Sequence, residues 1–371
     1  MTAHDIVGGV VWGQLMVLMA ALVYAVFEVS FALTGQRRHF QTRRRVGLAT
    51  CLTVLMLPLA LPFLMASPFA ASLNATDAVV AQYLKGNIAI SALEMEALVE
   101  MRRTWVMDTA TGTSPLGKAV VLVFAIAALA RVGYLLINVQ RIRRAVTGGT
   151  VLRRSRRLSV IVSPTITVPF TTRGLWRYYV VLPANLMRDP VAVSMTLGHE
   201  FQHIRQGDVN AEILLALASP LLVLNPGYWY LSGRIRKLGE LACDRAYLAR
   251  RLNDAHAYSL RLLGIARRAS GAAPRQPAAF GVPLLGRPLP WLARRSMLKS
   301  RILEIAANLD RPARETRWGG LVLSCGLSLA IFAGATSLSN ASDWSHERIM
   351  LSTVVNLERI NALNTLAQRS W

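Results

Sequence analysis

Two histidines and a glutamate, His199, Glu200 and His203, form the pattern with the clearest chemistry in the chain. Four residues apart on a helix, two imidazoles lie on one face, one turn apart, where both can bind one ion at about 2.0–2.1 Å. Glu200, one position further on, can reach a water on that ion. The pattern therefore predicts the metal-binding helix of a zinc peptidase, with Glu200 as general base. A surface helix with two solvated histidines is the alternative, and it is disfavoured because the chain has only 6 histidines.

A catalytic zinc takes three protein ligands and leaves its fourth position to water. Val209 stands where a metzincin would supply its third histidine, so the third ligand has to come from further along the chain. Glu240 and Asp244 form an acid pair four residues apart, and we expect Glu240 to bind zinc and Asp244 to hydrogen-bond a ligand imidazole. Cys243 is expected to be a buried small residue rather than a ligand. Asp208 is a further candidate for such a hydrogen bond, although helix capping or a solvated position would explain it equally well.

The composition combines a strong positive charge with a high apolar content. The 371 residues include 42 Lys+Arg and 20 Asp+Glu, a formal charge of +22, yet 53% of residues are hydrophobic. Disordered chains are poor in apolar residues and small disulfide scaffolds are rich in cysteine, so this composition, with 3 cysteines, excludes both classes. A bilayer span needs about 20 consecutive, mostly apolar residues. Stretches of that kind occur at about residues 6–27, 46–66, 119–139, 213–233 and 318–338.

Lysine and arginine are unevenly distributed among the connecting segments. Residues 34–45 and 140–317 are strongly basic, whereas 67–118 carries similar numbers of acids and bases. Cytoplasmic loops of membrane proteins are enriched in Lys and Arg. We therefore expect the two basic segments on the cytoplasmic side of a cell membrane, the bacterial inner membrane, and both termini on the outer side. The first span lacks the basic leader and the cleavage site of a signal peptide, so we expect it to be retained.

The uncharged stretch 213–233 is not expected to cross the membrane. If it crossed, His199 and Glu240 would lie on opposite sides and could not share an ion. Asn225-Pro226-Gly227 also interrupts the stretch and leaves too few residues for a span. A buried core helix and a shallow re-entrant hairpin both remain open, and four crossings are predicted.

The predicted fold class is a mainly α membrane protein with a cytoplasmic α+β zinc metallopeptidase domain between its third and fourth spans. Residues 1–139 hold three spans and the outside loop 67–118, residues 140–317 the peptidase domain, 318–338 the fourth span and 339–371 a short external tail. Runs rich in Val, Ile, Thr and Tyr predict a small sheet with strands at 158–162, 166–170 and 178–182. The Pro-rich segment 270–291 is expected to be disordered, or else a lid, docking or self-cleavage segment.

Taken together, these motifs resemble the BlaR/MecR-type antirepressor metallopeptidases, membrane zinc peptidases of signalling systems. The resemblance rests on His199-Glu200-Phe201-Gln202-His203 with Asp208, on Asn225-Pro226-Gly227-Tyr228-Trp229, on Glu240-Leu241-Ala242-Cys243-Asp244 and on Val181-Leu182-Pro183. It implies a gluzincin-like fold with His199, His203 and Glu240 as ligands. It also implies cleavage of a cytosolic repressor, or of the protein itself, when an outside signal arrives.

One feature departs from the antibiotic-sensing members of that family, which carry a penicillin-binding domain after the last span. Only a short segment follows Leu338 here, so β-lactam sensing is not expected, and the sensor would be the 67–118 loop, the tail or a separate partner protein.

Three other functions compete with repressor cleavage. Membrane quality-control or prenyl-protein peptidases share H-E-x-x-H with a distant Glu-x-x-x-Asp, but the Asn-Pro-x-x-Trp and Ala-Cys-Asp pieces favour the signalling family. A non-catalytic receptor with structural zinc would not need Glu200. Direct nucleic-acid binding is not expected, because the arginine clusters flank spans, where topology and anionic lipid explain them.

Overall fold

The computed structural model describes residues 3–36, 38–65, 75–111, 115–251, 255–270, 290–307, 322–331 and 346–369. The chain divides into two compact units. The smaller unit comprises residues 1–23, 50–125 and 325–371, and the larger unit comprises residues 24–49 and 126–324. Most described residues are helical, in helices that we number α1 (Ala3–Leu33), α2 (Phe40–Met65), α3 (Ala75–Leu84), α4 (Ala92–Thr111), α5 (Pro115–Thr147), α6 (Pro190–Gln206), α7 (Asp208–Ala218), α8 (Pro226–Arg251), α9 (Ala255–Ser270), α10 (Pro290–Ala307), α11 (Val322–Ile331) and α12 (His346–Arg369).

A single four-stranded sheet lies in the larger unit. Its strands are β1 (Thr150–Arg154), β2 (Leu158–Ser163), β3 (Phe170–Arg173) and β4 (Tyr178–Pro183), in the spatial order β1-β2-β4-β3. The β2 and β4 strands pair in parallel, while β1 and β3 pair antiparallel to their neighbours. The β3 strand therefore ends the sheet on one side.

Two of the three predicted strands are confirmed, and the third is displaced. The run 166–170 is not a strand, and β3 begins only at Phe170. Pro169 stands immediately before it, and proline lacks the N–H that a ladder needs, so pairing starts one residue later. The β1 strand was not predicted, because all its side chains are exposed and two are arginines, which leaves no apolar alternation to read.

Helix α6, which carries the H-E-x-x-H pattern, packs against the sheet. Val160, Val180 and Leu182 of the sheet form a buried cluster with Leu186 and Ala192. The side chain of Asp189 accepts a hydrogen bond from the Ala192 N–H and caps the helix, with Pro190 in its first turn. The helix ends at Gly207, whose φ of 73° is the left-handed conformation that glycine adopts freely.

Helix α8 packs against α6 and brings the second acid-containing motif to it. A Cβ at Gly198 would overlap the ring of Tyr247 on α8, so the glycine before His199 allows the two helices to approach closely. On its other sides α8 packs against Phe40 of α2, and against α9 and α10 through a cluster of Tyr247, Tyr258, Leu262 and Ile305.

In the smaller unit, α12 packs on α3 and α4. Their shared core consists of Val80, Ala92, Met95, Leu351 and Val355. Arg348 pairs with Asp77, and Arg359 with Glu96. Residues from the predicted outside loop and from the predicted external tail therefore belong to one packed cluster.

Two helices among the described residues are long and apolar enough to cross a membrane, Gly13–Leu33 and Pro115–Thr147. They correspond to the first and third predicted spans. Helix α2 covers the second, and α11 is a shorter apolar helix within the fourth. The stretch 213–233 is divided between α7 and α8 by the turn 219–225, so it is not one spanning helix. Most of the Pro-rich segment 270–291 and the arginines at 311, 314 and 317 lie outside the described residues.

Candidate metal centre

Three side chains of the predicted site converge on one point between α6 and α8. The Nε2 atoms of His199 and His203 are 3.1 Å apart. A carboxylate oxygen of Glu240 lies 3.6 Å from each of them, Oε2 from His199 and Oε1 from His203. All three residues are buried. The histidines lie one turn apart on α6, and Glu240 comes from α8, 37 positions after His203, as the sequence predicts.

The spacing of these donor atoms is close to that of ligands around a tetrahedral ion. With bonds of about 2.0–2.1 Å, neighbouring donors around zinc lie roughly 3.3 Å apart. The separation of the two Nε2 atoms is slightly below that value, and the two Glu240 separations, each to a different oxygen of the carboxylate, are slightly above it. In addition, Glu240 Oε2 is buried and has no hydrogen-bond partner of good geometry among the described residues, although the Arg301 guanidinium forms an ion pair with it at 2.8 Å. The residues therefore fit a divalent metal ion of the zinc type.

The second nitrogen of each imidazole, Nδ1, contacts a carboxylate. Asp208 Oδ2 lies 2.7 Å from His203 Nδ1, and Asp244 Oδ1 lies 3.2 Å from His199 Nδ1. An ionised carboxylate can only accept a hydrogen bond, so each contact places a proton on Nδ1 and leaves the Nε2 lone pair directed at the metal position. The structure thus places both predicted orienting acids beside imidazoles of the candidate ligands. Asp208, for which the sequence left capping or solvation open, contacts His203 instead.

Burial and pairing shift the pKa values of these groups. Burial alone would lower the pKa of His199, but the neighbouring carboxylates of Asp244 and Glu240 outweigh it and raise the pKa to about 9. Burial alone would raise the pKa of Glu240, but the charge of Arg301 and the two histidines lower it to about 2. The pKa of Asp244 is lowered against burial by Arg301 and His199. Both carboxylates are therefore ionised at neutral pH.

Arg301 and Tyr258 belong to the site although no sequence motif indicated them. The guanidinium of Arg301, on α10, donates two hydrogen bonds to Asp244, at 2.6 and 2.7 Å, besides its ion pair with Glu240. The hydroxyl of Tyr258, on α9, donates to Asp244 Oδ1 at 2.7 Å and lies 3.1 Å from His199 Nδ1. Arg301 supplies the positive charge that lets two carboxylates remain ionised in a buried position. It follows the Pro-rich segment, where no spacing rule connects it to α6.

Arg44 is a further residue that the sequence analysis assigned only to topology. It lies in the first turns of α2 and forms an ion pair with Asp208, whose other oxygen holds His203. Two of its nitrogens donate to the carbonyl of Gln206, the last residue of α6, at 3.2 and 3.3 Å. Gly239 on α8 lies beside this pair, close enough that a Cβ there would contact both side chains. A chain of three contacts therefore connects α2 with a candidate metal ligand.

Glu200 lies beside the donor atoms but does not join them. Its Oε2 accepts a hydrogen bond from the hydroxyl of Thr171 on β3, at 2.6 Å. Both Glu200 and His199 line a small cleft, whose walls are largely apolar and include Met195, Leu262 and Ile265. The carboxylate is thus placed where a substrate in the cleft would meet the metal position.

A second group of possible donors overlaps the first. His203, Asp208 and Cys243 also lie close together, with Cys243 Sγ 3.3 Å from both His203 Nδ1 and Asp208 Oδ2. The 2.7 Å contact between His203 and Asp208 is a hydrogen-bond distance and is too short for two ligands of one ion. Burial raises the pKa of Cys243 well above its ordinary value, and the nearby carboxylates raise it further. Cys243 therefore remains a thiol that donates to Asp208.

The amino-acid sequence was also compared with known proteins. The family model described as BlaR1 peptidase M56 matches residues 13–284, well over half of the chain. No curated protein matches the chain in sequence. The matched range contains His199, Glu200, His203 and Glu240 and ends before Arg301.

Proposed function

The chain belongs to the BlaR1 peptidase M56 family, and on that premise we propose that it is a zinc-dependent endopeptidase of the cell membrane that acts in regulated signalling. The observation that carries the proposal is the convergence of two imidazole Nε2 atoms and one carboxylate at tetrahedral spacing, with Glu200 beside them. A site for structural zinc would use four protein ligands and would not need a free acid at its edge.

In the proposed reaction, His199, His203 and Glu240 hold the ion, and Glu200 moves protons. A bound zinc would supply Lewis acidity for a peptide carbonyl and would lower the pKa of water, so that water loses a proton and becomes a nucleophile at neutral pH. Glu200 accepts the proton of the attacking water and passes it to the leaving amine. Thr171 orients Glu200 by its hydrogen bond, while Asp208 and Asp244 fix the imidazole rings.

The sheet supplies a means of holding the substrate. The β3 strand is the last in its sheet and carries Thr171, which contacts Glu200. An extended peptide can add to the edge of a sheet through backbone hydrogen bonds. We propose that the substrate lies along β3 with an apolar side chain in the cleft formed by Met195, Leu262 and Ile265.

The proposed topology has four crossings, with the peptidase domain 140–317 in the cytoplasm and both termini outside. Two kinds of contact support it. The basic start of α2 pairs with residues of the larger unit through Arg44 and Asp208, so these segments share one side. The predicted outside loop and the predicted tail pack together through α3, α4 and α12, as they should if both lie on the other side.

The proposed substrate is a cytosolic transcriptional repressor or the chain itself, and the proposed sensor is the α3–α4–α12 cluster or a separate partner protein. The test compares new protein N-termini in cells that express wild type or Glu200→Gln. We expect a repressor, or this chain, to be cut only with wild type. Scattered fragments of many membrane proteins would instead support a quality-control peptidase, and identical N-termini in both strains would reject the catalytic assignment.

A further inference from the structure

We propose that the hairpin of α7 and α8, residues 213–233, is seated in the lipid bilayer beside α5 and anchors the larger unit to the membrane. The sequence alone left this stretch open between a core helix and a re-entrant hairpin. The proposal does not depend on the peptidase activity, because it rests on charge, exposure and contacts outside the metal centre.

The charged residues next to the hairpin indicate where it would enter the membrane. Residues 213–233 contain no charged side chain, whereas Glu212 and Arg236 stand just outside that stretch on its two arms. These two residues form an ion pair at 3.0 Å, which closes the base of the hairpin. From Glu212 to Ala218, the last residue of α7, the helix rise gives about 9 Å, so the hairpin would enter one side of a hydrocarbon core of about 30 Å without crossing it.

The exposed side chains of the hairpin are apolar. Leu217 is 72% exposed, Leu221 59% and Leu224 53%, so three leucines near the turn face away from the protein. Scattered exposed leucines need no explanation, but a group at the end of an uncharged hairpin marks an interaction surface.

The partner of this surface is identified by α5, one of the two helices able to cross a membrane. Most of α5 is exposed, but Arg131 points inward, and its Nε donates to the hydroxyl of Ser219 in the hairpin at 2.8 Å. The guanidinium also lies 5.2 Å from the ring centre of Trp229. Arg131 is ten residues before Arg141, about 15 Å along the helix. Arg131 and Ser219 therefore both lie inside the uncharged parts of their segments, and Ser219 and Trp229 give the guanidinium a polar and an aromatic partner where a lone cation would be costly in lipid.

In a bilayer, irregular backbone has to form its hydrogen bonds within the protein. The turn of the hairpin has such hydrogen bonds. The indole of Trp229 donates to the carbonyl of Val223 at 2.7 Å, and the hydroxyl of Tyr228 donates to that of Leu215 at 2.6 Å. The Asn225 side chain accepts from the Tyr228 N–H at 3.2 Å.

One consequence concerns the metal centre. Asp208, which holds His203, lies one turn before Glu212 on α7, about 6 Å along the helix. If Glu212 marks the membrane surface, the metal ligands lie close to that surface. The peptide bond that is cut would then lie near the lipid headgroups.

The test measures collision of nitroxide spin labels with oxygen, which enters lipid, and with a water-soluble nickel complex. The full chain is reconstituted in vesicles with single cysteines at Leu217 or Leu221. Exposed Cys325 is replaced by Ala, while Cys51 and Cys243, which are buried, are retained. Leu129→Cys, 71% exposed on α5, is the lipid control, and Ser155→Cys, exposed between β1 and β2, is the water control.

We expect a several-fold excess of oxygen over nickel collisions at positions 217 and 221, as at 129, and the reverse at 155. A nickel excess at 217 and 221 would overturn the proposal, because the leucines would then face water. Low collision with both reagents would also overturn it, because a protein partner would then cover them. Both labelled positions are exposed, so the substitutions should not disturb folding.

Discussion

At the residue scale, each imidazole of the candidate site directs one nitrogen toward the proposed metal position and the other toward an acid. His203 contacts Asp208, and His199 contacts Asp244. The closeness of the two histidines was predictable because H-E-x-x-H sets their geometry within one helix turn. Arg301, Tyr258 and Thr171 were not, because each reaches the site from a different element and none has a spacing rule relative to α6.

Thr171 provides a test of how Glu200 is positioned. Thr171→Val keeps the shape of the side chain but removes the hydroxyl that donates to Glu200 Oε2. A hydrogen bond to a charged group contributes about 1.5–3 kcal/mol, so we expect kcat/KM to fall about 10-fold to 100-fold with metal content unchanged. Thr172→Val, at the buried neighbouring position, is the matched control and should retain activity. Equal activity of the two variants would show that Thr171 does not act through Glu200.

The raised pKa of His199 predicts how metal affinity depends on pH. Its acid partners raise the pKa to about 9 in the metal-free protein, so below that pH zinc has to displace a proton. Apparent affinity should therefore rise with pH, by about tenfold per pH unit for each proton displaced, and level off near pH 9. Asp244→Asn removes one raising partner and should move the plateau to lower pH. Zinc titration by calorimetry between pH 6 and 9 measures both, and a flat profile for wild type would contradict the assignment of His199.

At the scale of elements, the start of α2 supports the metal centre from outside the H-E-x-x-H helix. Arg44 holds Asp208 and the last carbonyl of α6. The adjacent Arg43 donates to Glu28 of α1 at 2.7 and 2.8 Å, and Arg234 of α8 pairs with the same carboxylate. The sequence indicated only that these arginines bear on topology. An arginine next to a span gives the same sequence pattern whether it binds lipid or another part of the protein.

Arg44→Ala should therefore weaken metal binding although it removes no ligand. Loss of its ion pair frees Asp208 and, through it, the ring of His203. Partners of ligands typically contribute 10-fold to 100-fold to metal affinity, and for this more distant residue we expect about tenfold. Arg45→Ala is the control, since it removes the same charge from the same turn but from an exposed position. Arg44→Lys should recover part of the affinity. Equal affinity of the two alanine variants would exclude the connection.

At the scale of the whole molecule, the charge distribution and one contact in the structure both agree with the proposed topology. The basic segments were assigned to one side by composition, and Arg44 of the first of them contacts Asp208 of the second. The displaced strand β3 and the unpredicted β1 show where sequence reading failed. Pro169 delays the start of β3, and β1 is exposed and basic, so its sequence has no alternation of apolar and polar residues. Neither error affected the predicted site, because α6 and α8 carry its candidate ligands.

The proposed topology predicts the behaviour of fusions to a reporter enzyme that is active only outside the cytoplasm. A reporter fused after Trp371 should be active, and one fused within the loop between β1 and β2, near Ser155, should be inactive. This follows because the two positions lie on opposite sides of the proposed fourth span. Activity at both positions, or at neither, would contradict an odd number of crossings between them.

The central claim is that His199, His203 and Glu240 form a zinc site, and the metal content of purified variants tests it most directly. Elemental mass spectrometry should find about one zinc per chain in wild type, and Glu240→Ala should lose most of it because one of three ligands is gone. Cys243→Ala, which alters the overlapping donor group of His203, Asp208 and Cys243, should retain it. Retention of zinc by Glu240→Ala together with its loss from Cys243→Ala would contradict the assignment.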